Sequence, residues 1–239
     1  MRLTIENSYS EICGRLSQLT TPLICDALPS VRLMDSDIHS FNTPLQTKIL
    51  GRAYTVNSAQ DSLSTMQALD DLPNFILTLG CTDERVPILL VIASCGTKFA
   101  VAGGMCAEVA KTKGFGGIIT DGNCRDVSEI RATNLPFFAK GQCAKSGSKN
   151  KIGSIRKTIN CGSVEVNPGE LILADEDGIV IMNKEEAVNA INKAEEIKEK
   201  EALALTRIYE GARFDEICNL KEHMEKLERG ESSNLKLTV

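Results

Sequence analysis

Between Val86 and Ala139 the chain alternates short apolar runs with helix-like segments, and this alternation constrains the fold more than any other feature. Residues 86–94 are a continuous apolar run of strand length, as expected of a strand buried on both faces. Gly103-Gly104 makes a bare corner, Met105 to Lys113 reads as a helix, and Gly114 ends it. Gly117 to Thr120, GIIT, reads as a short buried strand, and Asp121-Gly122 as a turn. A helix follows from about Asp126 to Ala132, then a strand from Leu135 to Ala139. Strand, helix, strand, helix, strand predicts a right-handed parallel crossover layer in an α/β fold.

The flanks supply further elements. Residues 8–19 read as a helix with Ile12, Leu16 and Leu19 on one face. Thr20 and Thr21 before Pro22 read as the capped start of a second, short helix. Residues 48–57 read as a strand, and 61–70 as a helix after Asp61. Residues 141–154 are polar and glycine-rich, a surface loop. Strands at 161–166, 170–174 and 179–182 are separated by turns at Asn167-Pro168-Gly169 and Asp175 to Gly178. A helix over 184–209 carries Val188, Ile191, Ala194, Ile197, Leu205 and Ile208 on one stripe, and Gly211 stops it. A last helix spans 213–228, and the final residues are expected to fray. We therefore expect one α/β core over 1–183 and a helical extension over 184–239, packing on the core or on a neighbouring subunit.

Two corners carry candidate chemistry. Gly103-Gly104 opens a helix, where unpaired amides and a partial positive charge can hold an anion on Met105 and Cys106. The same glycines also suit a tight turn or close packing. Arg125-Asp126 follows the next strand and turn, so both corners belong on one sheet edge, where α/β layers bind ligands. An arginine there can clamp a carboxylate, and an aspartate can hold a magnesium ion. Adjacent in a strand, the two should not pair. The alternative is a surface arginine and a helix-capping aspartate.

Composition removes other classes. The net charge is −5 with no long basic run, which argues against a general nucleic-acid binder. The apolar run at Val86 is too short to span a bilayer, and the N-terminal residues do not read as a signal peptide. Nine cysteines without a Cys-x-x-Cys pair suit reduced thiols in a cytoplasm. The two histidines, His39 and His223, lack partners at zinc-ligand spacing. There is no Walker loop, dinucleotide fingerprint or nucleophile elbow, and no glycine-rich loop for a methyltransferase cofactor.

The pattern Gly103-Gly104, Ala107, Ala110-Lys111, Gly114, Gly117, Asp121-Gly122 and Arg125-Asp126 resembles the RraA-like family. That family includes 4-hydroxy-4-methyl-2-oxoglutarate aldolases and ribonuclease E activity regulators. CDAL at 25–28, GRAYTV at 51–56 and NPGELILADEDGIVI at 167–181 extend the resemblance. It implies a three-layer β/β/α swivelling-domain-like fold, assembled as a homotrimer or hexamer with the site between subunits. It implies that Arg125 binds the carbonyl and carboxylate of a 2-oxo acid, that the amides of Met105 and Cys106 hold the carboxylate, and that Asp126 ligates Mg²⁺ or Mn²⁺. Glu201, or less directly Glu199, would support the metal through water from the neighbouring subunit.

One departure bears on the chemistry. The aldolases carry Asp or Glu at the position separated from the arginine by twenty residues, which here is Gly104. Glu108, one turn on, is the substitute the sequence offers. Retro-aldol cleavage needs a base for the substrate hydroxyl, whereas decarboxylation does not. The expectation is thus a metal-dependent lyase releasing pyruvate, better preserved for oxaloacetate than for a 4-hydroxy-2-oxo diacid. The competing class is a non-enzymatic regulator that binds a ribonuclease or another protein; retention of Asp126 ranks it second.

Overall fold

The computed structural model describes residues 2–42, 48–80 and 86–238. The first half of the chain runs α1 (Tyr9–Leu16), α2 (Thr21–Ala27), β1 (Arg32–Leu33), β2 (His39–Ser40), β3 (Ile49–Asn57), α3 (Leu63–Thr78) and β4 (Ile88–Ala93). Next come β5 (Ala100–Ala102), α4 (Gly104–Lys113), β6 (Phe115–Thr120), β7 (Asn123–Cys124), α5 (Val127–Thr133), β8 (Phe137–Ala139) and β9 (Gly141–Gln142). The remainder is β10 (Ser154–Ile155), β11 (Ile159–Cys161), β12 (Val164–Val166), β13 (Leu171–Ala174), β14 (Ile179–Met182), α6 (Lys184–Tyr209), α7 (Phe214–Ile217) and α8 (Leu220–Glu228).

The main sheet has the order β1-β14-β13-β3-β4-β6-β8-β2, with β10 also on β3. Its centre is parallel: β3 pairs β4, β4 pairs β6 and β6 pairs β8. Strands β13, β14, β1 and β2 flank it antiparallel. β4 explains the layering. Ile88, Leu90 and Ile92 join one core with Leu72 and Phe75 of α3, Ala107 and Ala110 of α4, and Ile130 of α5. Leu89, Val91 and Ala93 join the other, with Ile159 and Cys161 of β11 and Val166 of β12. A strand buried on both faces has no polar alternation, hence the unbroken apolar run. Helices therefore cover one face and a β hairpin the other, giving a β/β/α arrangement.

Local chemistry sets the element ends. Ser8 and Glu11 form a reciprocal capping box at α1. At α2 the expected Thr20 cap makes no side-chain capping bond among the described residues. Asp175 does that work from the β13–β14 turn, accepting from the Thr21 amide at 2.8 Å and its hydroxyl at 2.5 Å. The expected strand over 161–166 is interrupted: Cys161 ends β11, Gly162 and Ser163 turn with positive φ, 59° and 65°, and Val164–Val166 form β12. α3 runs to Thr78, past the expected end at 70, with Pro73 inside it.

Two compact units divide at Ile191/Asn192, within α6. In the first, Val188 and Ile191 of α6 are buried. In the second, Ala204 is buried while Leu205, expected on the apolar stripe, is exposed. The expected last helix is broken between Ile217 and Leu220. Near the C-terminus, where fraying is expected, the Lys236 amide donates to Asn219 Oδ1 at 2.6 Å and the Thr238 amide to the Ile217 carbonyl at 2.9 Å. Cys81 lies outside the described residues; the other eight cysteines are free thiols. Among the described residues no helix is long and apolar enough to cross a membrane.

Candidate active site

A second, three-stranded sheet builds the site. It has the order β5-β7-β9, all parallel. Each short strand comes next in the chain after a main-sheet strand, β4, β6 or β8. β5 runs directly into Gly103-Gly104 and α4, and β7 into Arg125-Asp126 and α5. Because Ala102 pairs with Cys124, the two corners are neighbours on the carboxyl edge of this small sheet. The sequence placed them on one edge, but of the main sheet.

Gly103 has extended backbone, φ −167°, so its conformation does not require glycine. Space does. A Cβ on it would fall 2.9 Å from Arg125 Cγ and 3.1 Å from Asp126 Oδ2. The bare corner is thus the surface on which the Arg-Asp pair lies. Asp126 is left-handed, φ 56° and ψ 45°, a conformation open to few non-glycine residues. It precedes α5, yet among the described residues its side chain makes no capping bond. The expectation that Arg125 and Asp126 stay apart is overturned: Arg125 Nε lies 3.3 Å from Asp126 Oδ2. The turn at Asp126 brings the side chains together, which an extended strand could not. Both are largely solvated, 40% and 39% exposed, so the pair is weak and a ligand can replace either partner.

The first intrahelical bond of α4 runs from the Ala107 amide to the Gly103 carbonyl at 2.9 Å. The amides of Gly104, Met105 and Cys106 therefore have no acceptor within the helix. Burial pushes the Cys106 thiol up to about 12, with the Gly103 backbone opposing. It is a neutral thiol near pH 7 and not a nucleophile.

Gly104 answers a different need. A Cβ there would lie 2.5 Å from Glu129 Cβ and closer still to its carboxylate. A carboxylate from α5 therefore stands against residue 104; Glu129 and Glu108 are both exposed. Glu129 was missed in the sequence although it stands three residues after Asp126. Among the described residues no group of three or more His, Cys, Asp or Glu side chains could hold a metal. Asp126 is the carboxylate that lines the cleft beside Arg125, and an oxygen donor of this type suits Mg²⁺, with its water and substrate oxygens, and not zinc. Glu199 and Glu201 are exposed on α6, in the second unit.

A cleft of about 330 Å³ opens here. Gly103, Met105, Cys106, Arg125 and Asp126 line it, so five expected site residues come together here, while Gly104 beside them faces Glu129 and is not part of the lining. Its walls are Met66, Leu69, Val101 and Val109, with Ser62 and Thr65 of the α3 start and Lys149 from the 141–154 loop.

The RraA-like family profile (aldolase/RraA) matches residues 21–181. A Halalkalibacterium halodurans protein named "Putative 4-hydroxy-4-methyl-2-oxoglutarate aldolase" is 30% identical over 210 residues, covering 87% of this chain and 91% of its own. A crystal structure of an uncharacterised Pseudomonas syringae protein superposes with a TM-score of 0.71 at 19% identity, over 90% of this chain and 96% of its own. The RNA-processing inhibitor RraA from Thermus thermophilus has a TM-score of 0.57 at 25% identity, over 68% of this chain and 91% of its own. With the family profile spanning both corners and the fold shared, the chain belongs to the RraA-like family.

Proposed function

We propose that this protein is a divalent-metal-dependent carbon–carbon lyase that releases pyruvate from a 2-oxo acid. The observation that carries the reading is the convergence of Arg125, Asp126 and the free amides of α4 on one cleft. Those amides receive the substrate carboxylate, and the Arg125 guanidinium donates to the 2-oxo oxygen. A bound Mg²⁺ or Mn²⁺, held by Asp126, would supply Lewis-acid stabilisation of that oxygen.

In oxaloacetate the C3–C4 bond breaks, carbon dioxide departs, and the electron pair stays in the enolate, which takes a proton at C3. In a 4-hydroxy-2-oxo diacid a base first removes the 4-hydroxyl proton. C4 then becomes a carbonyl as the same bond breaks and the same enolate forms. Gly104 alone would favour the first reaction. Glu129 packs against Gly104 outside the residues that line the cleft, and would be the proton acceptor nearest that corner for the second. The name of the Halalkalibacterium relative supports the second.

Exposed Leu203, Leu205 and Tyr209 on α6 support assembly as a trimer or hexamer, in which Glu201 would reach a neighbour's metal through water. The free thiols suit a reducing cytoplasm. The test is pyruvate release from oxaloacetate and from 4-hydroxy-4-methyl-2-oxoglutarate, with and without Mg²⁺. Metal-dependent release from either supports a lyase, and background release from both rejects it. Likeness to the Thermus RNA-processing inhibitor supports a second reading, a regulator binding a ribonuclease. Capture of a ribonuclease together with no calorimetric Mg²⁺ binding would favour that one.

A further inference from the structure

We propose that the cleft takes a 4-hydroxy-2-oxo acid whose C4 carries an aliphatic group in place of a second carboxylate, with that group on Met66, Leu69 and Val109 and the 4-hydroxyl on Thr65. This narrows the substrate of the lyase reading and rests on it.

The walls carry the argument. Away from Arg125 and Asp126 the cleft is lined by Met66, Leu69, Val101, Met105, Cys106 and Val109. Leu69, Val101, Cys106 and Val109 belong to the helix-side core or pack against it, so the cleft opens onto that core. Met66 and Met105 are exposed, and unbranched thioether side chains adapt to apolar groups of varied shape. At about 330 Å³ the cleft lies in the range that holds drug-sized ligands, and pyruvate alone does not fill it. A second carboxylate on these walls would lose its water without gaining a buried partner. The other charged residues lining the cleft, Asp70 and Lys149, are opposite in sign and both exposed. Together they add no net charge, and neither is placed in the low-dielectric interior where it would offset that loss.

The hydroxyls of the same wall need a partner of another kind. Thr65 is 2% exposed and Ser62 9%, both line the cleft, and neither hydroxyl has a hydrogen-bond partner among the described residues. Buried hydroxyls are nearly always satisfied, so this pair marks a place for a neutral polar atom within apolar surface. A 4-hydroxyl is such an atom, able both to donate and to accept, and it stands close along the chain to the 2-oxo group. The wall that bears the pair is fixed. Asp61, fully buried, accepts from the amides of Ser62 at 2.6 Å, Lys149 at 2.8 Å and Asn150 at 2.9 Å, tying the start of α3 to the loop that also lines the cleft. The reaction is a retro-aldol cleavage. The 4-hydroxyl proton passes to a base, the C3–C4 bond breaks, and C4 leaves as an aliphatic aldehyde. The electron pair stays in the enolate, which takes a proton at C3 to give pyruvate.

The experiment is calorimetric binding, with Mg²⁺ present, of 2-oxobutanoate, 2-oxopentanoate, 2-oxohexanoate and 2-oxoadipate. Each added methylene should tighten binding roughly threefold. 2-Oxohexanoate should bind on the order of tenfold more tightly than 2-oxoadipate, which has as many carbons but ends in a carboxylate. Met66→Gln and Val109→Ser, neither in a fully buried position, should flatten the series, with thermal melting to confirm that each folds. Pyruvate release from 4-hydroxy-2-oxohexanoate reads the hydroxyl. Thr65→Val should lower its kcat/KM on the order of tenfold more than it weakens 2-oxohexanoate binding, and Thr65→Ser should keep both. 4-Hydroxy-4-methyl-2-oxoglutarate, with a methyl group and a carboxylate on C4, should be the poorer substrate. A flat methylene series in the native protein overturns the proposal, as does tighter binding of 2-oxoadipate or a series that survives both wall variants. If oxaloacetate releases pyruvate and the series is flat, the apolar site alone fails. If no 2-oxo acid binds and none releases pyruvate, the lyase reading fails and the site falls with it.

Discussion

The Glu129 side chain occupies the space into which a side chain on Gly104 would grow. The two positions compete for one volume, so a carboxylate can be supplied from α4 or from α5, but not from both. Gly104→Asp should destabilise the protein by about 1–3 kcal/mol through overpacking. Combining it with Glu129→Ala should restore most of that loss. Urea unfolding of the four proteins in the cycle checks this. Additive effects would mean that the contact is not shared.

Asp126→Asn keeps a residue that tolerates the left-handed backbone while removing the charge. Pyruvate release should fall at least about a hundredfold. Stability should stay within about 0.5 kcal/mol, because the ion pair with Arg125 is largely solvated. Steady-state kinetics beside thermal melting separates the two effects.

Gly103→Ala puts a methyl group 2.9 Å from Arg125 Cγ. Arg125 must move to accept it. Catalysis should drop on the order of tenfold or more, since small displacements of positioning groups are costly, while the fold persists. Unchanged kinetics would show that Arg125 need not lie on the bare corner.

Asp61 governs acid stability. Its burial works to raise the pKa, but hydrogen bonds from the Asn150 and Ser62 amides, the Ser148 hydroxyl and the Lys151 amide outweigh it and bring the carboxyl down from 3.8 to about 2. A depressed pKa gives stability that is present above the unfolded value and lost as pH falls through the folded one. The contribution, about 2 kcal/mol, should therefore disappear between roughly pH 4 and pH 2. Asp61→Asn should be less stable at neutral pH and flatter across that window, as read by denaturation at each pH.

The parallel core was legible because β4 and β6 are apolar without alternation, and Gly114 ends α4 where its left-handed φ of 96° requires. Those signals are local. The small sheet was not legible. β5 and β7 are three and two residues long, too short to show a period, and they exist by pairing with each other. The Arg125–Asp126 contact was misjudged for a related reason: the strand stops at Cys124 and the chain turns at Asp126. Glu129 could have been noticed as the acidic residue three places after an aspartate opening a helix. Its contact with Gly104 is tertiary and no spacing rule encodes it. The same holds for Asp61, whose partners at 148–151 lie almost ninety residues away in the chain.

The small β5-β7-β9 sheet has an evolutionary consequence. The wide sheet bears the weight of folding, and the reactive corners ride on a separate narrow ladder at the ends of short strands. Substitutions in the wide sheet act on the two cores that it carries, while those at the corners act on the cleft. The corners can therefore change without rebuilding the body that carries them.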